Sequence, residues 1–339
     1  MDYIPLGALR FYLAFAVFLG HGLAHESLFP SYQGLGFQTS GVAVFFVVSG
    51  YVVLSAFFHF YHGAAAKFLA NRFLRIFPPF WAIYTATIFV FWLVDPDMIA
   101  KTMTLTEYLG NMTLVLSYLQ ISSLKHISQA WTLVVEVQFY IASIAIFTLL
   151  SQRLTKIPMI ISYLAICVVA YGFVLATDGH NRFYGGAQFT PYFALGAAIY
   201  CHHQNIFSKK ISWLMIVFFT ALSAHEYDFY IGTIWRENPF RLIASLIFIG
   251  PVVAFIFLAG RVLDGPYMKI DRWAGDLTYH LYLCHLAVFT VLNILGYYNG
   301  LSGLLIAFVI AISVSFISFY LTDKPIRALR SKLRGRTLY

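Results

Sequence analysis

Apolar runs of bilayer length recur along nearly all of this 339-residue chain, and no other feature narrows its fold so far. A hydrocarbon core about 30 Å thick needs roughly 20 apolar residues in helical form. Ten such segments can be read, at about 6–24, 40–58, 78–94, 131–150, 157–176, 184–200, 211–225, 241–260, 275–295 and 300–322. The segment at 184–200 is interrupted by Pro191, and the one at 211–225 is short. The expected fold class is therefore all-α, a polytopic transmembrane helical bundle of about ten spans. Composition agrees, with 60% hydrophobic and 11% charged residues, against about a quarter charged in soluble domains. The stretch 101–128 is too polar to span and reads as amphipathic or partly re-entrant. No internal repeat stands out. The first apolar run has no basic leader and no small-residue cleavage site, so it is expected to stay as a helix.

Charge placement orients the bundle. With the N-terminus in the cytoplasm, inner loops and tail hold Lys67, Arg72, Arg75, Arg153, Lys156, Lys209, Lys210, Arg261, Lys269, Arg272 and six more lysines and arginines from Lys324 to Arg336. The opposite loops hold only Lys101, Lys125, Arg182, Arg236 and Arg241. This bias predicts two cytoplasmic termini and an even number of spans. It also explains the net charge of +8 without invoking nucleic acid, which is not an expected partner. Residues 1–322 are expected to form the membrane domain and 323–339 a basic cytoplasmic tail, with no appended soluble domain. Cys167, Cys201 and Cys284 show no ligand spacing and are expected to be free thiols.

A few polar residues interrupt the apolar runs. Arg10 and His21 are eleven apart in RFYLAFAVFLGH, a step of three helical turns plus ~20°. Both side chains therefore lie on nearly one side of the first helix, roughly 16 Å apart along it. Ionisable groups at membrane depth face a bundle interior or a water-filled cavity. Arg72 and Arg75 are three apart on the cytoplasmic side, just before Pro78 and Pro79, which are expected to set where the chain enters the third span. Paired guanidiniums suit a phosphate; an ordinary positive-inside anchor gives the same pattern. Glu136 lies near the outer end of the fourth span, with Thr132 and Tyr140 on its helical face. It is either functional or a buried partner for an arginine. His21 and His25 are four apart, but lack further ligands apart from Glu26, so acid–base chemistry is favoured over metal. His280 and His285 fall in the ninth span, where His280 reads as a hydrogen-bonded core histidine.

With these residues in place, the chain resembles the acyltransferase-3 family of integral membrane acyltransferases. The resemblance covers nearly the whole chain. It comprises the basic residue, ten spacers and histidine (Arg10, His21), the glycine-led GVAVFFVVSGYVV, and the Arg-x-x-Arg pair with its prolines in FLANRFLRIFPPFW. It continues with the glutamate before Phe-Tyr in QAWTLVVEVQFY, the Tyr-Leu-x-His of LTYHLYLCHLAV at His285, and the acidic-Lys-Pro exit of TDKPIRAL. Ala43 stands where an acidic residue is frequent, and His280 lies outside the pattern.

The resemblance implies acyl transfer from a cytoplasmic coenzyme A thioester, acetyl-CoA in the first place, with no metal. The implied acceptor is a hydroxyl of a glycan or lipid-linked sugar, such as a bacterial surface polysaccharide or O-antigen precursor. The enzyme would sit in the bacterial inner membrane, in contact with membrane lipid. On this reading Arg72, Arg75 and Arg10 bind coenzyme A phosphates. His21 acts as general base or transient acyl carrier, and Glu136 orients or polarises it or the acceptor. His25, Tyr140 and His285 are candidate acceptor contacts. A lipid-linked glycan flippase or transporter would also line a path with Arg, His and Glu, but does not explain six motifs in order.

Overall fold

The computed structural model describes residues 6–25, 36–61, 64–114, 126–177, 185–234, 241–259 and 265–333, and all regular structure among them is helical. The helices are α1 (Gly7–His25), α2 (Phe37–Ser55), α3 (Ala65–Val94), α4 (Pro96–Thr102), α5 (Leu105–Met112) and α6 (Trp131–Ser151). They continue as α7 (Lys156–Ala176), α8 (Thr190–His203), α9 (Lys209–Ile234), α10 (Arg241–Leu258), α11 (Gly265–Ile294), α12 (Gly300–Ser318) and α13 (Lys324–Leu333). Among the described residues, six helices are long and apolar enough to cross a membrane: Phe37–Phe60, Ala65–Val94, Ser128–Ser151, Lys156–Ala176, Pro266–Ile294 and Gly300–Leu333. Gly7–Leu23 and Ser245–Leu258 are shorter apolar helices. Apolar side chains also cover the outside: Val169 is 71% exposed and Leu305 58%. A soluble bundle would turn such residues inward, whereas a lipid-facing surface favours them. All three cysteines are free and buried.

Several boundaries differ from those read in the sequence. Pro78 and Pro79 do not start a helix; they lie inside the 30-residue α3. The two prolines leave the Leu74 and Arg75 carbonyls without their helical N–H partners, and the Tyr279 hydroxyl donates to the next carbonyl along, Ile76, at 2.8 Å. The segment 184–200 does change at Pro191, where the 3-10 turn Gly185–Phe189 gives way to α8 and the proline takes the first turn. The seventh segment does not stop at 225; α9 runs to Ile234. The Tyr171 hydroxyl lies 2.9 Å from His225 Nδ1, and Glu226 is 1% exposed, so side-chain partners across helices carry the polar stretch inside. At the other end α12 passes without a break through one π turn, Phe319–Asp323, into α13. Pro325 cannot donate back, and a widened turn just before it absorbs the lost bond.

The chain divides into two compact units. Unit 1 comprises Met1–Gln38, Arg72–Val134 and Leu263–Arg330; unit 2 comprises Thr39–Asn71, Val135–Val262 and Ser331–Tyr339.

Unit 1 is built on α1 lying parallel to α11. Gly7 meets Asp271, Arg10 meets Gly275, His21 meets His285, and Gly22 meets Phe289, so the numbers rise together along both helices. The Asp271 carboxylate caps α1 from afar, accepting from the Gly7 N–H at 2.9 Å and the Ala8 N–H at 2.7 Å. A carboxylate there satisfies amides that no intrahelical carbonyl reaches and complements the helix dipole. At the other end the Tyr298 hydroxyl donates to the Gly22 carbonyl at 2.7 Å. Phe15 and Phe18 pack edge-on against Phe308 of α12.

Unit 2 is centred on α8, where every residue from Pro191 to Cys201 is buried. It crosses α2 backbone to backbone: a Cβ on Gly50 would overlap the Phe193 carbonyl, and one on Gly196 the Val47 carbonyl. Small residues at such crossings let helix backbones approach closely in lipid. Phe139 stacks on Phe193, and Tyr51 packs edge-on against Tyr200 and Phe255.

Candidate active site

The α1–α11 seam holds the polar pair singled out in the sequence. Helix α1 is unbroken from Gly7 to His25, so Arg10 and His21 share a side, as an eleven-residue step requires. Both are half-buried. Arg10 Nε donates to the Leu6 carbonyl at 3.3 Å, and its guanidinium lies over Gly275. A Cβ at that glycine would stand 2.8 Å from Arg10 Nη2 and 2.9 Å from the Gly7 Cα. Glycine is therefore what admits the arginine between the two helices.

Arg72 and Arg75 also belong to unit 1, on α3. The Tyr279–Ile76 hydrogen bond fixes that part of α3 one helical turn beyond Gly275 on α11. Arg10 and the Arg75 turn thus approach neighbouring turns of one helix. Arg75 also lies within electrostatic reach of His280. The structure brings Arg10 and the Arg72–Arg75 turn toward one end of the seam. His280 is buried and shares a 2.9 Å hydrogen bond with the Ser318 hydroxyl, the structural role read for it.

At the other end the His21 and His285 rings lie 5.3 Å apart between centroids. His285 is 1% exposed, and its Nδ1 faces the Tyr282 carbonyl at 2.7 Å. Since a carbonyl only accepts, Nδ1 carries the proton and Nε2 offers a lone pair. The start of α6 anchors this turn of α11. Gln129 Nε2 donates to the Leu283 carbonyl at 2.5 Å, and the Thr132 and Tyr282 hydroxyls lie 2.7 Å apart, both within reach of the Gln129 carbonyl. His25 ends α1, and its side chain lies outside the described residues.

Glu136 and Tyr140 belong to unit 2. Glu136 Oε1 accepts from the Ser49 hydroxyl at 3.2 Å and from the Tyr140 hydroxyl one turn along α6. Tyr140 is buried against Phe68. Among the described residues the carboxylate is thus held by hydroxyls and has no arginine partner. Gln138 Oε1 nearby accepts from the Gly186 N–H at 3.0 Å.

Sequence reading missed Asp271, Gly275, Gln129 and Ser49. Ser49 sits in the quoted VVSGYVV and Gln129 heads the quoted QAWTLVVEVQFY, so their neighbourhood was a signal. Asp271 and Gly275 act through α1, more than 260 residues away, and nothing local marks them.

An apolar cavity of about 340 Å³ lies between α3, α11 and α12, lined by Ile83, Phe91, Val288, Leu292, Ile310 and neighbours. Its polar lining groups are Thr87, Cys284, Ser318 and Thr322, with no carboxylate, imidazole or amine among them. No three His, Cys, Asp or Glu side chains converge among the described residues.

A family model described as an acyltransferase domain matches residues 5–323. Among curated proteins, Nodulation protein 10 of Rhizobium leguminosarum bv. viciae is 25% identical over 342 residues, covering 89% of this chain and 86% of that protein. No solved structure matches. A match over nearly the full length, on an all-helical bundle with membrane-length apolar helices, means that this chain belongs to the acyltransferase-3 family and is a membrane acyltransferase.

Proposed function

We propose that this enzyme moves an acetyl group from acetyl-CoA to a hydroxyl of a bacterial surface polysaccharide, or of its lipid-linked precursor. The observation that carries the reading is the α1–α11 seam, with Arg10 toward one end and His21 beside His285 toward the other. The bundle crosses the bacterial cytoplasmic membrane about ten times, with both termini in the cytoplasm. The parallel course of α1 and α11 supports this, since both then run outward. Residues 1–322 form the catalytic membrane domain, and 323–339 the basic tail.

Arg72 and Arg75, with Arg10, hold the coenzyme A phosphates at the cytoplasmic end. Guanidiniums suit that task because they stay charged and bind phosphate oxygens in pairs. The acyl-pantetheine arm extends along the seam toward His21. His21 takes the proton of the acceptor hydroxyl as its oxygen bonds to the thioester carbonyl carbon. The C–S bond then breaks, and the coenzyme A thiolate leaves with the proton from His21. Imidazole suits the proton transfer because it accepts and returns a proton near neutral pH. Glu136, fixed by Ser49 and Tyr140, is the second catalytic group, polarising the acceptor. His25, Tyr140 and His285 contact the acceptor.

The test uses purified full-length protein in lipid nanodiscs and in vesicles, supplied with acetyl-CoA and surface glycan from cells lacking the gene. Acetyl transfer to the glycan, seen by mass spectrometry as one added acetyl unit, is the expected result. Movement of labelled lipid-linked glycan across vesicles with no acetyl transfer would replace this reading with a transporter.

A further inference from the structure

Two buried hydrogen-bond acceptors in unit 1 have no donor among the described residues: Nε2 of His285 and Oε1 of Gln129. Their side chains are almost wholly enclosed, the residues being 1% and 3% exposed. The opposite end of each fixes its chemistry. His285 spends its N–H on the Tyr282 carbonyl, and Gln129 donates its amide to the Leu283 carbonyl. Those carbonyls are consecutive on α11, so both side chains grip one turn. A turned amide would set two carbonyl oxygens face to face, and a turned ring would put a carbon against the Tyr282 carbonyl and lose the N–H bond to it. The adjacent Tyr282 and Thr132 hydroxyls are engaged with each other and with the Gln129 carbonyl.

A buried acceptor left without a donor is expensive, and two on one turn beside His21 indicate that a donor arrives from outside the chain. Lone pairs repel phosphate and carboxylate oxygens, which excludes the coenzyme A phosphates from this end. The matching chemistry is a neutral group carrying O–H donors. A sugar presents them in adjacent pairs.

We infer that His285 Nε2 and Gln129 Oε1 form a hydroxyl-receiving subsite for the sugar acceptor, which sets the reacting hydroxyl beside His21. The inference depends on the acetyl-transfer reading above and adds the groups that hold the acceptor. His285 and Gln129 exchange no proton in the reaction. The reacting O–H gives its proton to His21, and the neighbouring hydroxyl donates hydrogen bonds to the pair. Gln129 joins the site, and His285 acts as a binding group with a defined tautomer.

The test measures equilibrium binding of tritium-labelled, de-O-acetylated surface glycan to the full-length protein in nanodiscs, without acetyl-CoA. His285→Phe and Gln129→Met are each expected to weaken glycan binding about tenfold, the worth of one good hydrogen bond to a buried group. Acetyl-CoA binding stays within about twofold and reports that the variant is folded. His285→Gln returns an acceptor oxygen near the Nε2 position and is expected to recover most of the affinity. Wild-type protein is expected to lose binding of permethylated glycan, which has no hydroxyl donors, and this arm is independent of folding in any variant. Unchanged glycan affinity in both variants, with a resident water filling the pair, would overturn the inference. So would full binding of the permethylated glycan. Glycan binding without acetyl transfer would remove the functional reading and leave the subsite standing. Acetyl transfer with unchanged variant affinities would do the reverse.

Discussion

The two units each contain a helix crossing made possible by glycine, and they use it differently. In unit 2, Gly50 and Gly196 bring α2 and α8 backbone to backbone, and the surrounding seam is aromatic: Phe193, Phe139, Tyr51 and Tyr200. In unit 1, Gly275 gives its space to a guanidinium, and the α1–α11 seam carries Arg10, His21 and His285. Close packing thus serves stability in one unit and houses polar groups in the other. Burying an ionisable side chain at membrane depth is costly. A seam that keeps several of them fits the proposed chemistry, whereas an apolar seam is explained by packing.

Substitutions can separate these two uses. The largest effect is expected at Gly196→Ala, where the added methyl overlaps a backbone carbonyl that cannot move alone. Overpacking of this kind costs about 1–3 kcal/mol, occasionally more. A lower melting temperature in detergent and less monodisperse protein are expected, while donor and acceptor KM of the surviving enzyme stay unchanged.

Gly275→Ala comes next. Its methyl meets the end of a flexible arginine, so the helix pair survives and the guanidinium moves. The expected outcome is a rise of about tenfold in acetyl-CoA KM, equivalent to about 1.4 kcal/mol of lost phosphate contact, with little change in melting temperature. If both glycine variants simply melt early, the contrast between the seams fails.

Glu136→Gln asks whether unit 2 is more than scaffold. Glutamine keeps an oxygen for the Ser49 and Tyr140 hydroxyls, so stability is expected to hold. Turnover is expected to fall by about tenfold, a modest share of what a positioned acid–base group contributes. Unchanged kcat would return Glu136 to a structural role.

The smallest effect is expected at Asp271→Ala, which removes the remote cap of α1. Loss of a cap costs about 1 kcal/mol, visible as a small drop in melting temperature with transfer retained.

Much of the candidate site's geometry is legible in the sequence because helical period acts locally. Eleven residues from Arg10 to His21 is close to a whole number of turns, and α1 is unbroken between them. Four residues from Glu136 to Tyr140 is one turn, and the two side chains do meet. What could not be read lies where distant segments meet. Asp271 caps a helix 264 residues away, and only the folded chain shows that Gly275 makes room for Arg10. The seventh segment reads as short because the hydrogen-bond partner of His225, Tyr171, is on another helix. Pro78 and Pro79 read as a boundary because proline usually opens or ends a helix, whereas α3 continues through both.

The central claim is that the imidazole beside His285 performs the transfer. The direct measurement is acetyl content of the surface glycan, by mass spectrometry, in cells carrying wild type or His21→Ala at equal membrane abundance. The account predicts a loss of at least about a hundredfold in transfer, the low end of what a positioned base contributes. Acetylation persisting near the wild-type rate in His21→Ala would contradict it.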